Sequence, residues 1–481
     1  MYNQVTFGLS IRWFLYPNGV TMKIRFLGAA RKVTGSCFEL VADGTELIVD
    51  CGMNQGRNSD VLNQQPFRFE PAKLKTLLLT HAHLDHSGLI PKLVSEGFTG
   101  RIITTSATAE LAEIILLDSA HIQEKDAEWH TKKALRQGKD ETFEPLYTTE
   151  DVKACLPYFE HNAYGTMLEL PGGIRFRPVD AGHILGSATL ELWFRESGKE
   201  KKIVFSGDIG KNGNPIIRDP EHVAEADYVV VESTYGNRFH KDLEASIEEM
   251  ARVIKETFKR GGNVLMPSFA VGRTQDVLYI LNRLVKEGRL KDLDVYIDSP
   301  LADKATKIYM SHPEFFDGEA VNAFKFRSAE GMKMHFTTTI EESQKINRIK
   351  SGAIIIAGSG MCEGGRIRHH FKHNIWRQEC SIIFTGFQVP GTLGRLIVDG
   401  AKRAYILGEE MAIRAKVHTI GGFSAHADQG ELIEWLSTFK TDPKVFIVHG
   451  EEAVSLEFEQ TVQKRLGLKT YVPHPGEEVE L

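Results

Sequence analysis

No apolar run in this sequence approaches the roughly 20 residues needed to span a bilayer, which argues against a membrane protein. The opening stretch "MYNQVTFGLSIRWFLYPNGVTMK" has no basic lead and carries Arg12 within its best apolar run, so it does not read as a signal peptide. Residues 1–22 are taken as an N-terminal extension of unknown role. Cysteine is scarce: Cys37, Cys51, Cys155, Cys362 and Cys380 form no C-x-x-C pair and are odd in number. That argues against a disulfide framework and for buried thiols in a reducing, cytoplasmic setting. Positive charge is not in excess either. A formal net charge of −6 argues against a generic polyanion binder, so nucleic acid would have to be held by a local basic cleft. There is no low-complexity tract, internal repeat or Pro/Ser-rich linker, so domain boundaries are expected in ordinary turns.

What is present is a succession of short apolar runs, each closed by a polar or glycine turn. They include "ELIVDCG", "KTLLLT", "KIVFSGD", "YVVVEST", "NVLMPS", "DVYIDSP", "GAIIIAGSG", "CSIIFTG" and "KVFIVHG". Helix-period segments at 243–259 and 274–287 lie between them. Strands alternating with helices predict α/β layers, and 481 residues suggest two or three domains. His81, Asp208, Glu232 and His449 each stand at or just past the end of a strand-like run. Strand ends share an edge of a sheet, so residues far apart in sequence can converge there.

The stretch "HAHLDH" crowds four metal-ligating side chains, His81, His83, Asp85 and His86, into six positions. Imidazole nitrogen and carboxylate oxygen are good Zn²⁺ ligands. In extended backbone His81 and His83 point the same way, while Asp85 and His86 can turn to a second point. One loop can thus supply parts of two adjacent sites. His183 in "DAGHILGSA", Asp208 in "FSGDIG" and His449 in "FIVHGE" are candidates to complete them. Asp208 is assigned as the bridge, since a carboxylate offers one oxygen to each of two cations. Such cations lie about 3.5–4 Å apart in two-metal sites and can hold a bridging hydroxide.

Taken in order, "THAHLDHSG", "DAGHILGSA", "FSGDIG", "VVVESTYG", "GGFSAHAD" and "FIVHGE" resemble the metallo-β-lactamase superfamily, specifically its β-CASP branch of RNA nucleases. That branch includes RNase J and the nuclease subunit of the cleavage and polyadenylation specificity factor. The resemblance covers nearly all of 23–481. It implies an αββα sandwich, built from 23–235 and 410–481, with an inserted α/β β-CASP domain at 236–409. It implies that His81, His83 and His183 hold one zinc and Asp85, His86 and His449 the other, with Asp208 between them. Asp50 in "IVDCG" would orient the metal loop. Di-iron relatives carry a carboxylate where His83 stands here, so nitrogen favours zinc, with manganese the alternative.

Other residues choose the reaction. In the β-CASP branch a Glu and a His matching Glu232 and His426 pair near the metals. The His would protonate the departing 3′ oxygen or steady the phosphate. Taken alone, His426 could be a helix-start residue, with Asp428 as the true N-cap of a helix over 429–440. Asp85, Glu232 and His426 are the expected catalytic set. Arg273 sits at a strand-to-helix turn. The glycine-rich loop 358–365 is followed by Arg366 and Arg368. These three arginines are the expected RNA contacts. His449 stands where DNA-directed relatives usually carry another residue, which by resemblance tilts the substrate to single-stranded RNA. The expected activity is endonucleolytic hydrolysis of RNA phosphodiesters through a bridging hydroxide on two metal ions. The rival readings are a 5′ exonuclease, a small-ester or thioester hydrolase on the same core, and an inactive scaffold subunit. A homodimer is left open.

Overall fold

The computed structural model describes residues 22–42, 44–56, 58–196, 198–318, 330–389 and 391–481. The N-terminal extension, apart from Met22, lies outside them. Two seven-stranded sheets pack face to face. In the first, the hairpin Phe38–Ala42 and Thr45–Val49 leads into the parallel strands Thr76–Leu78 and Arg101–Thr104. In the second, Tyr228–Glu232 lies between Lys199–Phe205 and Lys444–Val448, parallel to both. The shared core joins Ile24, Leu40, Val49 and Leu78 of one sheet to Leu190, Phe205, Val230 and Phe446 of the other. Outer faces are covered by helices: Ser106–Arg136 on the first sheet, Gln429–Ser437 and Glu452–Leu466 on the second. This is the expected αββα sandwich.

A six-stranded sheet forms the inserted domain, and all five of its strand pairings are parallel. Parallel strands are covered on both faces, which is why "AIIIA", "VLMP" and "SIIF" are unbroken apolar runs and wholly buried. Helix Leu243–Lys259 covers one face through Ile247, Met250, Ala251 and Ile254, spaced as one helical stripe. Asp242 caps it, accepting from the Ala245 N–H at 2.8 Å. The last strand of this sheet is Lys416–Thr419, paired with Ser381–Phe384. The inserted sheet therefore runs past the boundary drawn at 409. A separate two-stranded hairpin at 403–412 precedes that last strand, and the chain returns to the second sandwich sheet only at Lys444–Val448. Among the described residues no helix is long and apolar enough to cross a membrane.

Candidate metal centre

The parallel strands ending at Phe205, Glu232 and Val448 deliver Asp208, Glu232 and His449 to one edge of the second sheet. The strand Thr76–Leu78 delivers the histidine loop from the first. The backbone at His83 has φ −58° and ψ 147°, and one helical turn, Leu84–Ser87, follows. Extended backbone sends His81 and His83 to one point, and the turn swings Asp85 and His86 to another. The loop is pinned by bonds of 2.8 Å from Ser36 N–H to the Asp85 carbonyl and from Cys51 N–H to the His86 carbonyl. Gly52 permits this approach: a Cβ there would lie 1.7 Å from the Asp85 oxygen.

Three groups of ligand atoms result, each with its atoms within 4.8 Å of one another: His81, His83, His183 and Asp208; Asp85, His86 and His449; and Asp208, Glu232 and His426. The first two contain all seven expected ligands. Hydrogen bonds on the outer side of four rings orient them. His86 Nδ1 donates to Asp50 Oδ2 at 2.7 Å, and His183 Nδ1 to the Ala425 carbonyl at 3.2 Å. His81 Nδ1 meets Thr80 Oγ1 at 3.1 Å and His449 Nδ1 meets Thr234 Oγ1 at 3.0 Å. Nε2 is thereby left facing inward on each ring. His83 Nδ1 lies 3.1 Å from His81 Nε2 and 3.2 Å from His183 Nε2, and His86 Nε2 lies 3.2 Å from His449 Nε2. Asp208 is only 2% exposed, yet its Oδ1 makes no well-aligned hydrogen bond, although His86 Nε2 lies 3.3 Å away. Acceptor atoms gathered so closely repel unless a cation joins them, so the donor set fits a metal centre.

Electrostatics agree. Burial, with the neighbouring histidine His86 for His81 and His426 for His183, pushes both pKa values well below the usual histidine value, which favours the neutral ring a metal ion would need. Burial opposes charge on Asp208, yet His449, His86 and His81 hold its carboxyl well below the usual range. Burial likewise opposes charge on Asp85, but His449 and His86 bring it to about 2. His86 goes the other way: burial opposes its protonation, but Asp208 and Asp50 outweigh it and raise its pKa. A proton there competes with a metal ion for Nε2. His426 differs in kind. Burial opposes its charge, but Glu232 and then Asp208 raise its pKa to about 9. Its Nδ1 lies 3.2 Å from Glu232 Oε2, whose partner oxygen Oε1 accepts from the Ile209 N–H at 2.6 Å. Asp428 caps the helix Gln429–Ser437 in a reciprocal box with Glu431, so His426 is not needed as the cap.

The three expected RNA-binding arginines are not brought to this cluster. Arg273 is half-buried and donates to the Thr385 carbonyl. Arg366 donates to Asp298 Oδ1 at 2.6 Å and to the Thr337 and Thr338 carbonyls. Arg368 donates to the Glu363 carbonyl at 3.0 Å. Each guanidinium is engaged inside the inserted domain, Arg366 and Arg368 beside the glycine-rich loop and Arg273 at the end of the strand Ser381–Phe384. Sequence reasoning missed Thr80 and Thr234, the hydroxyls that meet the outer nitrogens of His81 and His449. Thr80 directly precedes the histidine motif and was within reach of that reading. Nothing in sequence joins Thr234 to His449.

Three family descriptions match successive parts of the chain: metallo-beta-lactamase superfamily at 30–255, Beta-Casp domain at 274–397, and Zn-dependent metallo-hydrolase RNA specificity domain at 410–473. Ribonuclease TTHA0252 of Thermus thermophilus is 37% identical over 96% of this chain and 98% of its own length. An RNase J-like protein of Methanocaldococcus jannaschii is 30% identical over 94% and 98%. The transcription termination factor FttA of the same organism is 31% identical, covering 94% of this chain and 70% of itself. A solved protein of unknown function from Enterococcus faecalis shares the fold with a TM-score of 0.57 at 12% identity, over 96% of this chain and 100% of that one. The chain therefore belongs to the metallo-β-lactamase superfamily, in its β-CASP nuclease branch.

Proposed function

We propose that this protein hydrolyses phosphodiester bonds of single-stranded RNA, endonucleolytically, with two zinc ions in the paired ligand groups. The observation that carries the reading is the Glu232–His426 pair set against the histidine cluster, with the His426 and His183 ring centroids 4.4 Å apart. A thioesterase expels a thiolate, a comparatively good leaving group. A ribose oxygen leaves badly and needs a proton. His426, held through Nδ1 by Glu232 with its pKa raised, is the group placed to give that proton. Glu232 keeps the ring oriented and favours the imidazolium. The bound ions would supply positive charge at the phosphate and lower the pKa of water. Water attacks phosphorus in line with the 3′ oxygen, which leaves with the His426 proton, giving 5′-phosphate and 3′-hydroxyl ends. The ribonuclease name of the Thermus relative and the RNA-specificity description at 410–473 support RNA as the substrate.

Circular single-stranded RNA tests this directly, because only an endonuclease opens a circle. Linearisation of the circle, with little turnover of a β-lactam or thioester, is the expected result. Cutting confined to RNA with a free 5′ end would replace the endonuclease with an exonuclease. No RNA cleavage by metal-loaded protein would overturn the reading.

A further inference from the structure

Beside His426 lies a cavity of about 310 Å³ that none of the metal ligands line. One wall follows the strand Tyr228–Glu232 and includes Tyr235, Arg238 and Lys241. The inserted domain contributes Phe387 and Arg395, and Ser424 leads to His426. The cavity is at the small end of ligand-pocket sizes. Its charge is one-sided: Arg238, Lys241 and Arg395 line it and no carboxylate does, in a chain whose net charge is −6. Arg395 donates to Asp399, but Arg238 bonds only Asn237 Oδ1 and enters no ion pair among the described residues. The Arg238 guanidinium lies 5.5 Å from the Tyr235 ring and 5.0 Å from the Phe387 ring. Phe387 is 38% exposed. Aromatic and guanidinium planes beside unpaired cations are the surface on which single-stranded nucleic acids stack a base and neutralise a phosphate.

His426 stands near both this cavity and the metal groups: its ring is 4.4 Å from that of His183 and 5.9 Å from that of Tyr235, which lines the cavity. The leaving 3′ oxygen belongs to the nucleotide on the 5′ side of the cut. We infer that the cavity holds the base of that nucleotide, stacked on Arg238 and Phe387. This rests on the ribonuclease reading, in which His426 lies beside the leaving oxygen.

The test is an abasic scan. A short single-stranded RNA with cleavage-resistant phosphorothioate linkages is compared with versions carrying one abasic residue at each position in turn. Binding is measured to the metal-loaded protein. One position should cost about 5- to 150-fold in affinity, the range for one stacked base. Arg238→Ala and Phe387→Ala should cost a similar factor on the intact oligomer and add little on that abasic one. Phe387→Tyr keeps a ring and should restore most of the binding, which separates lost stacking from misfolding. Cleavage of the unmodified RNA should then place the sensitive position immediately 5′ of the cut. Equal tolerance at every position, losses that simply add, or a sensitive position 3′ of the cut would overturn the proposal. If the unmodified RNA is not cut at all yet one position depends on Arg238, the base pocket stands and the ribonuclease reading falls.

Discussion

Asp208 and Asp298 are both buried carboxylates beside histidine, and they reach opposite ends. Asp298 in the inserted domain receives four donors: Thr337 Oγ1 and Arg366 Nη1 on Oδ1 at 2.5 and 2.6 Å, Ser343 Oγ and His370 Nε2 on Oδ2 at 2.6 and 2.7 Å. Asp208 faces several imidazoles, and its Oδ1 has no well-aligned donor. In the first cluster hydrogen bonds satisfy the charge and hold a strand end, a helix and a glycine-rich loop together. In the second the rings are turned by outer partners so that their free nitrogens gather around the carboxylate. A buried polar cluster that satisfies itself is structural, and one left with converging acceptors is built for a cation. Histidine and aspartate occur in both, so composition does not separate them; donor bookkeeping does.

The largest effect that sharpens this contrast comes at the edge of the second cluster. His426→Ala should lose about 10²–10⁴ in rate on RNA, the scale of general acid catalysis, while holding near-normal metal. An aryl phosphodiester, whose leaving group needs no proton, should lose much less. Lost metal in this variant would make His426 a ligand. An equal loss on both substrates, with metal and folding intact, would make it a phosphate-stabilising residue.

Breaking the first cluster should act on stability instead. Asp298→Ala leaves the half-buried Arg366 without its counter-charge and the buried His370 without its acceptor, and should cost about 3–5 kcal/mol in denaturant unfolding. Any protein that remains folded should keep its metal. Burial opposes charge on Asp298, but its donors, His370 first, depress its pKa. Its stabilisation is therefore present above the usual carboxylate range and lost as the pH falls toward the depressed value. A mild loss of stability accompanied by lost metal would erase the distinction between the clusters.

A smaller effect is expected where the inserted domain meets the sandwich. His312 Nε2 lies 3.1 Å from Glu110 Oε1 of the helix Ser106–Arg136, and Nδ1 lies 2.7 Å from Glu314. Burial opposes protonation, but Glu314 and Glu110 outweigh it and raise the pKa. The contact therefore adds stability that is fully present below the ordinary histidine value of about 6.5 and fades as pH rises through the raised value. The Tm gap between the parent protein and His312→Gln should be wider at pH 6 than at pH 9. A constant gap would show that proton linkage plays no part.

Much of the candidate site's convergence was legible in the sequence, because the residues that gather there sit in short motifs at strand ends and strand ends share an edge. The nine apolar runs all fall on strands, and helix 243–259 appears with those bounds. What could not be read is which partner a charge finds. Arg366 looked like a phosphate contact because it follows four glycines, but its partner Asp298 is far away in sequence and unmarked by any motif. Arg238 and Phe387, which share a cavity, come from segments that no spacing rule connects. The parallel pairing of 381–384 with 416–419, which carries the inserted sheet past 409, is likewise a long-range fact that no local motif marks.

Elemental analysis of gently purified protein, paired with unfolding before and after chelation, tests the central claim most directly. Two adjacent ligand groups, one containing Asp208 and the other facing its Oδ1, predict about two zinc ions per chain and a clear fall in Tm once they are removed. Metal-free protein of unchanged stability, or a single iron per chain, would contradict the dinuclear zinc centre.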